Sequence, residues 1–209
     1  MKCISTLSPL SCPVVYLNEQ IETIDVSEAL RRVSSQRAAH ALHYRQKHDQ
    51  QLSLAVYLLL QEALRTEYGI QESPEFTFEQ YGKPQLKHHP HIHFNLSHCH
   101  HAALCAVSEQ PVGCDIEAVP EHLDMEVCRQ CFNEQEIADI LASEHPAIQF
   151  TVLWTKKEAF LKLTGKGLTD DLPSLFLSPE TEHITFQTHA AADNAYVYTV
   201  CQHVKRQKL

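Results

Sequence analysis

Val112-Gly113-Cys114-Asp115-Ile116-Glu117 is a short run in which apolar and acidic side chains alternate. In a β-strand, residues two apart share a face. Asp115 and Glu117 therefore point one way, while Cys114 and Ile116 point into a core. Two carboxylates side by side repel and raise each other's pKa unless a cation lies between them. Mg²⁺ suits that position, since it takes carboxylate oxygen together with substrate phosphate and water. The same alternation also describes an edge strand with its acidic face in water, and this segment alone leaves both open.

Working outward, residues 92–96 and 102–107 read as two apolar strands ahead of this one. The turn Ser108-Glu109-Gln110-Pro111 leads into it. Further upstream, residues 28–68 read as helical, with Leu54, Tyr57, Leu58, Leu60, Ala63 and Leu64 on one broad apolar face and Gly69 as the stop. Phe76 and Phe78 alternate with polar residues as in a strand, and Tyr81-Gly82-Lys83-Pro84 reads as a turn. Downstream, helical patterns cover 125–143 and 147–163, the second ending at Thr164-Gly165-Lys166-Gly167. Short strands are expected at Leu175–Leu177, 183–187 and 196–202. Helices and strands thus appear twice in succession. The expectation is an α+β chain of two similar α/β halves, 1–109 and 110–209.

Bulk properties narrow the function classes. The chain has 209 residues, 44% of them hydrophobic, which is enough for a real core. Its formal charge of −9 argues against general nucleic-acid binding, and the short basic tail Lys205, Arg206 and Lys208 does not reverse it. No apolar run is long enough to span a bilayer. The first 17 residues, interrupted by Pro9 and Pro13, carry no export-signal pattern, so a soluble cytoplasmic protein is expected. Eight cysteines in a chain of this size read as reduced thiols rather than a disulfide framework, with Cys105 and Cys114 packed as small hydrophobes.

The few glycines gather where chemistry-bearing side chains are densest. Gly82, Gly113, Gly165 and Gly167 fall in three short segments, near the only tryptophan, Trp154. In Trp154-Thr155-Lys156-Lys157-Glu158-Ala159-Phe160-Leu161-Lys162, helical spacing lines up Trp154, Glu158 and Lys162. They can form a solvent-facing Glu–Lys pair, or a third metal ligand with a phosphate contact. In Phe94-Asn95-Leu96-Ser97-His98, Ser97 and His98 close a strand and can offer a hydroxyl and an imidazole to a phosphate. A Ser–His hydrolase pair lacks its Gly-x-Ser-x-Gly elbow.

Together, Tyr81-Gly82-Lys83-Pro84, Phe94-Asn95-Leu96-Ser97-His98, Val112-Gly113-Cys114-Asp115-Ile116-Glu117 and Trp154 through Lys162, continuing to Gly165-Lys166-Gly167-Leu168, resemble the Sfp-type 4′-phosphopantetheinyl transferases in order and separation. The likeness is strongest over residues 79–168. It implies a monomer of two α/β halves related by pseudo-twofold symmetry, with the active site in the cleft between them. It implies transfer of the phosphopantetheine arm of coenzyme A to a serine of an acyl or peptidyl carrier protein. By the same resemblance Asp115, Glu117 and Glu158 would bind Mg²⁺. Lys83, Ser97, His98 and Lys162 would contact coenzyme A phosphates, and Arg37 and His40 would hold the nucleotide 3′-phosphate. Glu158 is its candidate base, acting with Asp115 and Lys162, and residues 127–132 its carrier-docking patch. Two other classes stand beside it. One is a zinc protein using the His-rich run 88–101 with the pair Cys128 and Cys131. The other is a non-catalytic carrier-binding scaffold, against which the retained carboxylates and Lys162 argue.

Overall fold

A computed structural model describes residues 2–3, 12–165, 167 and 171–204. Lys166, Leu168, the first-segment Pro9 and the basic tail Lys205, Arg206 and Lys208 lie outside the described residues. The chain runs β1 (Lys2–Cys3), β2 (Val14–Asn18), α1 (Val26–Arg32), α2 (Ser35–His43), α3 (Lys47–Tyr68), β3 (Phe76–Phe78), β4 (Pro84–Leu86), β5 (His93–His98), β6 (Ala103–Ser108) and β7 (Val112–Ala118). It continues with α4 (Met125–Cys131), α5 (Glu134–Ala142), α6 (Pro146–Thr164), β8 (Ile184–Ala190) and β9 (Tyr196–His203). The expected mixture of helix and antiparallel strand is present.

β1-β2-β6-β5 form one antiparallel sheet, β7-β9-β8 another, and β3 pairs with β4 as a separate hairpin. β6 shows how the sheets are covered. Ala103, Cys105 and Val107 pack with Leu52, Ala55, Val56, Leu59 and Leu60 of α3. Leu104 and Ala106 pack with Val112, Cys114 and Ile116 of β7. Both faces of β6 are buried, so the strand is apolar from Ala103 to Val107 and its alternation is invisible in the sequence. The opposite face of the second sheet is covered by α6, through Ala159, Phe160 and Leu163 against Ile184 and Cys201.

Three readings of local structure are corrected. Residues 28–68 form three helices, because the Ser34 hydroxyl accepts from the Arg37 amide at 3.2 Å and starts α2 afresh, and the chain is extended again at Tyr44. Residues 125–143 form two helices. Asn133 and Glu136 make a reciprocal capping box that opens α5. Leu175–Leu177 is a 3₁₀ turn rather than a strand. α3 and α6 both end on glycine, Gly69 at φ +68° and Gly165 at φ +66°, as left-handed helix stops require. The cysteines from Cys12 onward are free, and Cys105 and Cys114 are fully buried. No helix among the described residues is long and apolar enough to cross a membrane.

Candidate active site

Gly113 sets the geometry of the site. A Cβ placed there would fall 2.0 Å from the carbonyl oxygen of Ala159 and 2.6 Å from the amide of Leu163. Only glycine lets α6 cross β7 at this backbone distance. The crossing brings the last turns of α6, with Glu158 and Lys162, over Asp115. β7 is an edge of its sheet, but it does not face water. Its amides at Cys114 and Ile116 donate to Asn95 Oδ1 at 2.8 Å and Ser97 Oγ at 3.4 Å, so side chains of β5 close that edge.

Asp115 is only 1% exposed. Its Oδ1 accepts from Lys162 Nζ at 2.6 Å and from Ser97 Oγ at 2.9 Å, and Lys162 Nζ also reaches Ser97 Oγ at 3.0 Å. Its Oδ2 is buried and has no hydrogen-bond partner among the described residues. Burial pushes the Glu117 carboxyl up to about 7. Asp115 and Glu158 add to the rise, while Lys162 and a hydrogen bond from Trp154 oppose it. Glu158 is also raised, first by burial and then by Asp115, against the pull of Lys162. Burial works to lower the Lys162 pKa, but the Asp115 carboxylate outweighs it and the net shift is upward. Three carboxylates and one ammonium thus form a single electrostatic unit.

The other expected residues are distributed around it. A hollow of about 230 Å³ is lined by Tyr81, Lys83, Leu96, Glu158 and Lys162 among others. A neighbouring hollow of about 250 Å³ carries Arg37, His40, Tyr57 and Phe94, and the two share Pro84 and Leu96. His98 ends β5 beside the site. Partial desolvation lowers its pKa, and Lys162 and Arg37 lower it further. Arg37 is committed locally, donating to the Ser53 carbonyl and lying 5.6 Å above the Tyr57 ring. Burial lowers the His40 pKa, with help from Arg37 and His43. Lys83 borders the first hollow, yet its ammonium is turned away from open space. It donates to the carbonyls of Lys162 at 2.7 Å and Leu163 at 2.9 Å, with Val112 at 3.5 Å. Phe132, placed by the resemblance in the docking patch, is 2% exposed and packs against Phe150, so it cannot meet a partner; Val127 is exposed.

The donor set suits a hard divalent cation. It is oxygen only, one buried carboxylate oxygen lacks a partner, and Glu117 and Glu158 are held toward protonation by burial first and by the neighbouring Asp115 carboxylate second. Among the described residues, no three His, Cys, Asp or Glu side chains already stand in a ligand shell, and the Lys162 ammonium supplies the local positive charge. The histidines of 88–101 disperse instead of converging. His89 pairs with Glu72 at 2.8 Å, His88 with Glu75 at 3.6 Å, and the His100 ring lies tilted against that of His48, centres 4.4 Å apart. The zinc reading gains no support.

Sequence reasoning missed Lys157. It is fully buried, and its ammonium contacts Glu136 Oε2 at 2.8 Å and the carbonyls of Cys131 at 3.0 Å and Leu172 at 2.8 Å. A signal was present: Lys157 sits four residues from both Leu153 and Leu161, on an apolar stripe of the helix.

Comparison with known proteins agrees with this architecture. Residues 111–207, which run from β7 through α4, α5, α6 and β8 to β9, match the model of the 4′-phosphopantetheinyl transferase superfamily. A 4′-phosphopantetheinyl transferase of Bacillus subtilis is 28% identical over 191 residues, 88% of this chain and 84% of the relative. The Sfp transferase of Bacillus subtilis strain 168 is 28% identical over 163 residues, 77% of this chain and 72% of its own. The psf-1 transferase of Bacillus pumilus is 35% identical over 145 residues, 68% of this chain and 62% of its own. The chain belongs to the Sfp-type 4′-phosphopantetheinyl transferases and is an enzyme of that class.

Proposed function

We propose that the chain moves the 4′-phosphopantetheine group from coenzyme A to a serine of an acyl or peptidyl carrier protein, with Mg²⁺ as cofactor. The observation that carries this reading is the electrostatic unit of Asp115, Glu117, Glu158 and Lys162. The serine oxygen forms a bond to the β-phosphorus of coenzyme A, the bond to the departing 3′,5′-ADP breaks, and the serine proton passes to a base. Both reactants carry negative charge where they meet, so catalysis rests on positive charge and alignment.

Asp115, Glu117 and Glu158 are the residues that would hold Mg²⁺, which when bound neutralises charge on the pyrophosphate. Lys162 offers its ammonium to a phosphate oxygen, with Ser97 and His98 beside it. Arg37 and His40, in the adjoining hollow, are the candidates for the nucleotide 3′-phosphate. Lys83 belongs to this set by resemblance, although its ammonium is spent on backbone carbonyls. Glu158 takes the serine proton. A carboxyl raised by burial is a better base near neutral pH than an ordinary one. The reading treats 1–109 and 110–209 as two halves of a monomer with the site between them. Its support is a hollow bordered by residues 81–96 on one side and 158–167 on the other.

Incubation of apo carrier with coenzyme A, Mg²⁺ and the enzyme, followed by intact mass, tests this. A gain equal to the phosphopantetheine arm is expected. Unmodified carriers of the fatty-acid, polyketide and peptide-synthetase kinds alike would overturn the reading.

A further inference from the structure

We infer that Lys157 is a positioning residue, a buried clamp that fixes how α6 presents Glu158 to the site; the inference rests on the function proposed above. The close contact at Gly113 sets the separation of α6 from β7, but it does not by itself fix rotation or sliding of the helix. Lys157 supplies that restraint. Its ammonium joins three separate segments: the end of α4 through the Cys131 carbonyl, the first turn of α5 through Glu136, and the chain after α6 through the Leu172 carbonyl. It also lies 5.1 Å from the Phe132 ring centre and 5.3 Å from that of Phe176. Glu136 is itself held, its Oε2 accepting from the Asn133 amide at 3.0 Å.

Every donor of the ammonium is therefore used within the protein, and none is left for a substrate. A buried ion pair is a weak source of stability, because desolvation offsets its attraction. A well-packed apolar residue would fill the same space. What the pair supplies is direction, since three oxygens from three segments can be satisfied together in only one placement of α6. Glu158 is the next residue, turned about 100° around the helix toward the hollow. A displacement of about 1 Å at a reacting group can cost on the order of a hundredfold in rate.

The test compares wild type with Lys157→Met/Glu136→Gln, which removes both charges together, and with Lys157→Arg and Glu136→Gln alone. Two readouts are taken on each full-length protein. One is kcat and KM for coenzyme A on an apo carrier. The other is Trp154 emission during titration with MgCl₂ alone, since Trp154 is the only tryptophan and bonds to Glu117. For the double variant, with native far-ultraviolet dichroism, kcat is expected to fall at least tenfold with KM changed less than threefold. Its Trp154 response should move to higher MgCl₂, and Lys157→Arg should recover part of both. A folded double variant with wild-type kcat and wild-type Trp154 response overturns the clamp. If the double variant does not fold, Glu136→Gln decides, because it keeps the capping acceptor. At least a threefold loss of kcat supports the clamp, and no change in either readout overturns it. Wild type that modifies no carrier defeats the proposed function, and the Trp154 titration then tests the clamp by itself.

Discussion

At the residue scale, the site buries carboxyl groups beside one another, and burial together with the Asp115 charge raises Glu117 and Glu158. Burial pushes the Glu117 carboxyl up to about 7 in the folded chain, well above an ordinary carboxyl. The folded state therefore holds a proton that the unfolded state has released, and the stability contributed by protonated Glu117 is lost as pH rises from the ordinary carboxyl range through 7. Glu117→Gln removes this penalty. Its thermal midpoint is expected to exceed that of wild type at pH 8 and to match it near pH 5, as calorimetry at the two values would register. Equal differences at both pH values would contradict the electrostatic account. Glu158 carries the proton transfer in the proposed reaction, so Glu158→Gln is expected to lower kcat by roughly 10²–10⁴. Intact-mass time courses measure this, and full turnover would remove Glu158 as base.

At the element scale, the decisive contact is β7 against α6. In Gly113→Ala the new methyl meets backbone atoms at 2.0 and 2.6 Å, which cannot rotate aside as a side chain would. The cost is expected near the upper end for overpacking, about 3 kcal/mol, or roughly 6–12 °C in thermal midpoint. Differential scanning fluorimetry would detect it, and a shift below about 2 °C would mean that the elements separate more easily than this packing implies. Turnover in the proposed reaction should fall with it, since Glu158 and Lys162 ride on the displaced helix. Helix boundaries belong to this scale too. Ser34 and Asn133 carry cap signals within stretches that otherwise read as continuous helix, and the caps decide where each helix begins.

At the scale of the whole molecule, Lys83 fastens the chain after the β3 turn to the end of α6 and the start of β7. Resemblance places this lysine on a coenzyme A phosphate, whereas its ammonium satisfies carbonyls at a helix C-terminus, where positive charge is favourable. Lys83→Met is accordingly expected to destabilise the protein without substrate by about 1.5–3 kcal/mol, roughly 3–12 °C. Thermal unfolding without coenzyme A checks this. An unchanged midpoint together with a large rise in KM would favour the phosphate role.

The alternation in β7 placed Asp115 and Glu117 on one face, and helical spacing aligned Trp154, Glu158 and Lys162. Local periodicity carries such information because strand and helix geometry depend only on near neighbours. What lay beyond it depends on residues far apart in the chain. That Asp115 is buried beneath Lys162, that Lys83 caps α6, and that Lys157 is a core residue rather than a surface charge follow from which segments meet in space. A lysine's partner is chosen by desolvation and by the oxygens that surround it, and only the packed molecule supplies both.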